Sequence, residues 1–70
     1  MQLNQIYFER LKELTTWLAL QAKVSESNVL VTFMDSGEIR LKAIAANEVQ
    51  YGIRVIGDQI SYHTKQYINI

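Results

Sequence analysis

Two hydrophobic periods divide this chain. From Leu3 to Ala22 the apolar residues Leu3, Ile6, Tyr7, Leu11, Leu14, Trp17, Leu18 and Ala22 recur every three or four positions, which gathers them on one stripe of a helix. Glu9, Lys12, Glu13, Thr16 and Lys23 fall on the opposite side. Arg10 and Gln21 intrude into the stripe, where their stems are expected to pack at its rim. The segment KVSESN, residues 23–28, breaks the pattern.

From Val29 onward the period is two. If Asp35, Ser36 and Gly37 form a three-residue loop with Gly37 in the left-handed region, Phe33 faces Ile39, Val31 faces Leu41 and Val29 faces Ala43, all apolar pairs. The other face then carries Met34 with Glu38, Thr32 with Arg40 and Leu30 with Lys42. A two-residue loop would set Phe33 against Arg40, so the hydrophobic pattern itself selects the register. The stretch QYGIRVIGDQISYH obeys the same rule. With Gly57 and Asp58 as a two-residue turn of type I′ or II′, Val55 opposes Ile60, Ile53 opposes Tyr62 and Tyr51 opposes Thr64. Arg54 then stands with Ser61, Gly52 with His63 and Gln50 with Lys65. The link IAANEV is short enough to join neighbouring strands of one sheet.

These patterns predict a single α+β domain over residues 1–70: an N-terminal amphipathic helix packed on a four-stranded antiparallel sheet made of two hairpins. The expected helix-side face is Val29, Val31, Phe33, Ile39, Leu41, Tyr51, Ile53, Val55, Ile60 and Tyr62. The tail KQYINI is expected to extend the last strand, because Ile68 and Ile70 keep the parity of Ile60. Leu30, Met34 and Ile56 fall on the polar face, and Phe8 and Leu20 fall off the helix stripe.

Composition sharpens this picture in three ways. At 70 residues a lone core is marginal, which makes a partner or a homodimer an expectation. The chain has no cysteine, which removes disulfide staples, thiolate metal sites and cysteine nucleophiles. Seven basic and seven acidic residues cancel, so no global attraction draws it to nucleic acid or to a membrane. The N-terminus lacks the features of a signal peptide, and no apolar run is long enough to span a bilayer, so a cytoplasmic protein is expected.

No catalytic, cofactor or metal constellation is visible. His63 is the single histidine, and the two aspartates, Asp35 and Asp58, occupy expected turns where that residue is common for conformational reasons. Metal binding needs several ligands at suitable spacing, and glycine loops that cradle phosphate open a helix, which none of the three glycines does. The residues point to a non-enzymatic protein. What remains is the open sheet face, where Arg40, Lys42, Arg54, Lys65 and His63 collect against Glu38. Such a face suits an acidic protein surface or a phosphate backbone. No exposed aromatic residues interleave with these charges, which argues against single-stranded nucleic acid. Gly52, inside a strand, marks a bulge, a close approach or room for His63.

Two resemblances add to this reading. Gln50, Tyr51, Gly52, Ile53, Arg54, Val55, Gly57, Asp58 and Ile60 resemble the C-terminal segment of a phage anti-CRISPR protein of type I-E systems, with Ile56 and Gln59 as departures. The rest of the chain is unlike that mainly helical protein. This resemblance implies an inhibitor that binds a CRISPR effector protein in the cytoplasm of an infected bacterial host, with Tyr51, Arg54 and Asp58 touching the partner. Over most of its length the chain also resembles the N-terminal part of phage tail-completion proteins. Leu11 on the helix, Asp35, Gly37 and Ile39 at the first turn, and Glu48 and Tyr51 entering the next strand carry that likeness, which implies a virion protein as partner. The surface residues expected at a protein contact are therefore Tyr51, Arg54, Asp58, Arg40, Lys42 and His63.

Overall fold

The computed structural model describes residues 3–66, and side chains from residue 9 to residue 65. The expectations for the side chains of Leu3, Ile6, Tyr7 and Phe8, and for a strand extension through Ile68 and Ile70, lie outside these residues. Helix α1 spans Leu3–Ala22 and a single 3-10 turn spans Glu26–Asn28. Strands β1 (Leu30–Phe33), β2 (Ile39–Ile44), β3 (Val49–Ile56) and β4 (Gln59–Gln66) follow. The strands form one antiparallel sheet in the order β1-β2-β3-β4, and α1 lies across β2 and β3.

Both expected registers are present. Phe33 pairs with Ile39, Val31 with Leu41, Thr32 with Arg40 and Leu30 with Lys42. Gly37 adopts φ +92°, the Met34 amide donates to the Glu38 carbonyl at 2.8 Å, and the Gly37 amide donates to the Met34 carbonyl at 3.0 Å. That is the three-residue loop inferred from the pattern. At the other hairpin Val55 pairs with Ile60 and Ile56 with Gln59 across Gly57 and Asp58. Gly57 has φ +58° and Asp58 is not in the positive-φ region, which selects type II′ over type I′. The link between the hairpins is itself a hairpin of the first kind. The Ala45 amide donates to Val49, the Glu48 amide donates to Ala45, both at 2.9 Å, and Glu48 takes the left-handed position with φ 68°.

Helix α1 ends in the same conformation. The Val24 amide reaches back to the Ala19 carbonyl at 3.0 Å and the Lys23 amide to Leu20 at 3.3 Å, with Lys23 at φ 57°. This is a Schellman closure, in which the residue after the left-handed one packs back on the helix. Val24 fills that role and packs on the core.

The core is narrower than the apolar pattern. Leu18, Ala19 and Ala22 from α1 meet Ile39, Leu41, Ala43, Ile53 and Val55 from the two central strands, with Leu11, Leu14, Val24, Val29, Val31 and Tyr51 packed around them. Phe33, Ile60 and Tyr62 point to the helix side as expected, yet they remain 65%, 38% and 44% exposed. The reason is width: a helix about 10 Å across cannot cover four strands spaced by about 4.8 Å. Trp17, placed in the stripe by its spacing, sits at the helix rim with 41% exposure, its ring meeting that of Tyr62 edge-on at 4.9 Å and 82°. Arg10, Leu20 and Gln21 are exposed.

Lys23 and Glu48 hold a conformation that costs a side-chain-bearing residue about 1–2 kcal/mol. Replacing either by glycine relieves that strain at the cost of a more flexible unfolded chain. Lys23→Gly and Glu48→Gly are each expected to raise stability by about 0.5–1 kcal/mol in urea denaturation. Gly37→Ala is expected to lower it by about 1 kcal/mol or more in the same assay.

Candidate functional site

The side chains that share the face of the sheet opposite α1 are set by register. Arg40 and Arg54 are direct cross-strand partners on β2 and β3, and Lys42 pairs with Gly52, which in turn pairs with His63. Two like charges placed directly opposite each other repel. The arrangement is stabilised by Glu38, the residue that enters β2. Its Oε2 accepts from Arg40 Nε at 2.6 Å, and its Oε1 accepts from Arg54 Nε at 3.0 Å and from Arg54 Nη2 at 2.5 Å. The Glu38 side chain is only 9% exposed, while both arginine side chains are about half exposed. Hydrogen bonds first from Arg54 and then from Arg40 hold the Glu38 carboxyl below the ordinary carboxylate value.

Gly52 explains His63. A β-carbon on Gly52 would overlap the His63 ring, with Nε2 and Cε1 the nearest atoms. The imidazole therefore occupies the space that a side chain on Gly52 would fill, a cross-strand pairing in which a ring covers the gap that a glycine leaves. Of the readings open for Gly52, room for His63 is the one realised. Thr32, Arg40, Lys42, Gln50, Arg54 and His63 line a shallow open depression of about 500 Å³ on this face. Exposed Leu30 on β1, Met34 and Ile56 stand around the same face.

The six expected contact residues separate into two groups. Arg40, Lys42, Arg54 and His63 lie together on the open face. Tyr51 does not join them: it pairs with Ala43 and Thr64, points to the helix side and packs on the core, a sheet thickness away from Arg54. Asp58 is exposed in the tip of the β3–β4 turn. Glu38 was legible only as a counter-charge, because its role depends on the β2–β3 register. That register follows from the three-residue geometry of the Ala46, Asn47 and Glu48 loop, for which the sequence holds no glycine signal.

Among the described residues no three of His, Cys, Asp and Glu gather where they could hold a metal ion. No helix among them is long and apolar enough to cross a membrane. Tyr62, on the other face, has its phenol pushed up from the ordinary value, by burial first and by Tyr51 second.

Because the folded-state value of Glu38 is depressed, its stabilising contribution is full above the ordinary carboxylate value of 4.5 and is lost as pH falls through the folded value. Glu38→Gln is expected to lower the urea midpoint at pH 7 and to flatten the acid limb of the stability profile below pH 4.5. At Gly52 the sign of a substitution is expected to depend on His63. Gly52→Ala alone costs up to about 1 kcal/mol as the ring is displaced, whereas in a His63→Ala background it stabilises by about 0.5–1 kcal/mol, since glycine is a poor strand residue. A double-mutant cycle by urea denaturation checks both.

Compared with protein-family models, curated proteins and solved structures, the chain matches none.

Proposed function

We propose that this chain is a small non-enzymatic protein-binding module that acts by direct contact through the open face of its sheet. The observation that carries the reading is the Arg40–Glu38–Arg54 array. Two guanidinium groups are held from one point by one sequestered carboxylate, so they meet a partner with less side-chain entropy left to lose. Lys42 and His63 stand in the next row, and exposed Leu30, Met34 and Ile56 supply apolar area. Arginine and methionine among apolar side chains are the composition of a protein contact. Glu38 also neutralises part of the positive charge, which makes the face less suited to a phosphate backbone.

The anti-CRISPR resemblance of residues 50–60 gives this binding a biological form: inhibition of a type I CRISPR effector in the cytoplasm of an infected host. Arg54 has a structural duty to Glu38, so charge reversal there would disturb the fold together with the surface. Lys42, exposed and paired with a glycine, is the cleaner probe. A second reading, a phage tail-completion component, is favoured by a specific observation. The residues carrying that resemblance lie at turning points of the fold: Gly37 and Glu48 hold the left-handed positions of two like loops, and Ile39 begins β2 in the core.

Expression of the protein in a host with an active type I CRISPR system is expected to restore plaquing of a targeted phage, with no change in a host lacking the system. Lys42→Glu is expected to abolish the rescue while its circular dichroism and thermal midpoint stay close to wild type. No rescue by folded wild-type protein overturns the inhibitor form, and co-sedimentation with purified phage tails then decides the second reading.

A further inference from the structure

The two edges of the sheet are not alike. Edge strand β1 has four residues and is flanked by the 3-10 turn and the bulged loop at Gly37, devices that blunt an edge. Edge strand β4 has eight residues, contains no proline and pairs with β3 without a break along its whole length. In a two-residue hairpin the pair flanking the turn, Ile56 and Gln59, is hydrogen-bonded, and bonded and non-bonded pairs then alternate. Ser61 and His63 therefore spend their main-chain groups on β3. The N–H and C=O groups of Ile60, Tyr62 and Thr64 face outward. The same three residues carry the side chains on the helix side that α1 fails to cover.

We propose that β4 pairs with β4 of a second copy of this chain, antiparallel about a two-fold axis at Tyr62, to give a continuous eight-stranded sheet. This goes beyond the proposed function and does not rest on it. The register is self-complementary. Ile60 stands opposite Thr64 of the second copy, Tyr62 opposite its own counterpart and Ser61 opposite His63. Every outward N–H and C=O of these residues then meets a partner, and no two like charges are opposed. The axis unites two Trp17–Tyr62 edge-on pairs into one aromatic cluster, covering the rings and the Ile60 side chains that one copy leaves open. A pocket already opens there between Leu14, Trp17, Ile60 and Tyr62. The two helices are centred about 19 Å apart, four strand spacings, each over the central strands of its own copy. A formal net charge of zero removes long-range repulsion between copies. A second copy fits better than an unrelated strand because one two-fold operation satisfies backbone, aromatic and charge requirements together. Both open faces then lie on the same side of the joined sheet.

Light scattering on the full chain, over dilutions from millimolar to micromolar, is expected to give twice the chain mass at the high end and a reversible fall towards one. Amide exchange in the wild-type protein is expected to slow with concentration at Ile60, Tyr62 and Thr64. Thr64→Pro removes one outward N–H without touching the bonds to β3, and Tyr62→Lys places a charge at the seam. Each is expected to weaken association roughly 100-fold, since a symmetric seam counts the change twice. Phe33→Lys, on the other edge, is expected to leave it unchanged. A monomer at millimolar concentration overturns the proposal, as does a dimer indifferent to Thr64→Pro or one lost on Phe33→Lys, which would assign the seam to β1. Should either β4 variant fail to fold, wild-type amide exchange decides: fast exchange at those three residues at every concentration overturns it.

Discussion

A single helix with its side chains is about 10 Å across, whereas the centres of four paired strands span about 14 Å and their side chains more. Most features of this molecule follow from that mismatch. The helix seats Leu18 and Ala22 over the two central strands, and among the described residues three of the eight buried apolar side chains are alanines, Ala19, Ala22 and Ala43. On the outer strands Val31 reaches the core and Tyr62 meets Trp17, but Phe33, Ile60 and Tyr62 point the right way and stay more than a third exposed. A domain of this size buries little surface in any case, so the uncovered flanks are a considerable part of its unspent hydrophobic free energy.

The opposite face is governed by electrostatics. Register alone would oppose Arg40 to Arg54, a repulsive pair. Glu38, entering the sheet two residues ahead of Arg40, bridges them with three hydrogen bonds and becomes sequestered in doing so. A surface carboxylate paired with a single arginine contributes little, because water and salt compete for it. Here both oxygens are engaged and both arginines are held from one point, which turns flexible side chains into a fixed donor array. His63, laid over Gly52, extends that fixed surface into the neighbouring row. The result is a face whose charged groups are tied to one another by register and hydrogen bonds.

The loops that set these registers and the end of the helix share one device, a residue with positive φ in a turn of the chain. Gly37 and Gly57 take it without steric cost, and Lys23 and Glu48 take it against their own preference. Lys23 is held by two backbone bonds at the helix end and by Val24 on the core. Glu48 is held by the β2–β3 ladder and by the Asn47 side chain, which accepts from the Val49 amide at 3.2 Å. Tertiary packing overrides local preference at both sites.

The sequence by itself determined the helix, the four strands, both glycine-marked turns and the pairings across them. These depend on local periods and on backbone angles that glycine alone takes easily. It also determined which residues share the open face, since strand parity does not depend on what lies next door. The β2–β3 register, and with it the Glu38 bridge, was hidden because its turn uses Glu48 where a glycine would have announced the loop. Tyr51 was expected at a partner contact only through the resemblance of residues 50–60; strand alternation had already placed it on the helix side, across the sheet from Arg54, and the register keeps it there. The exposure of Phe33, Ile60 and Tyr62 was hidden for a different reason. Periodicity reports the direction in which a side chain points, and only the tertiary structure decides whether anything stands there to cover it.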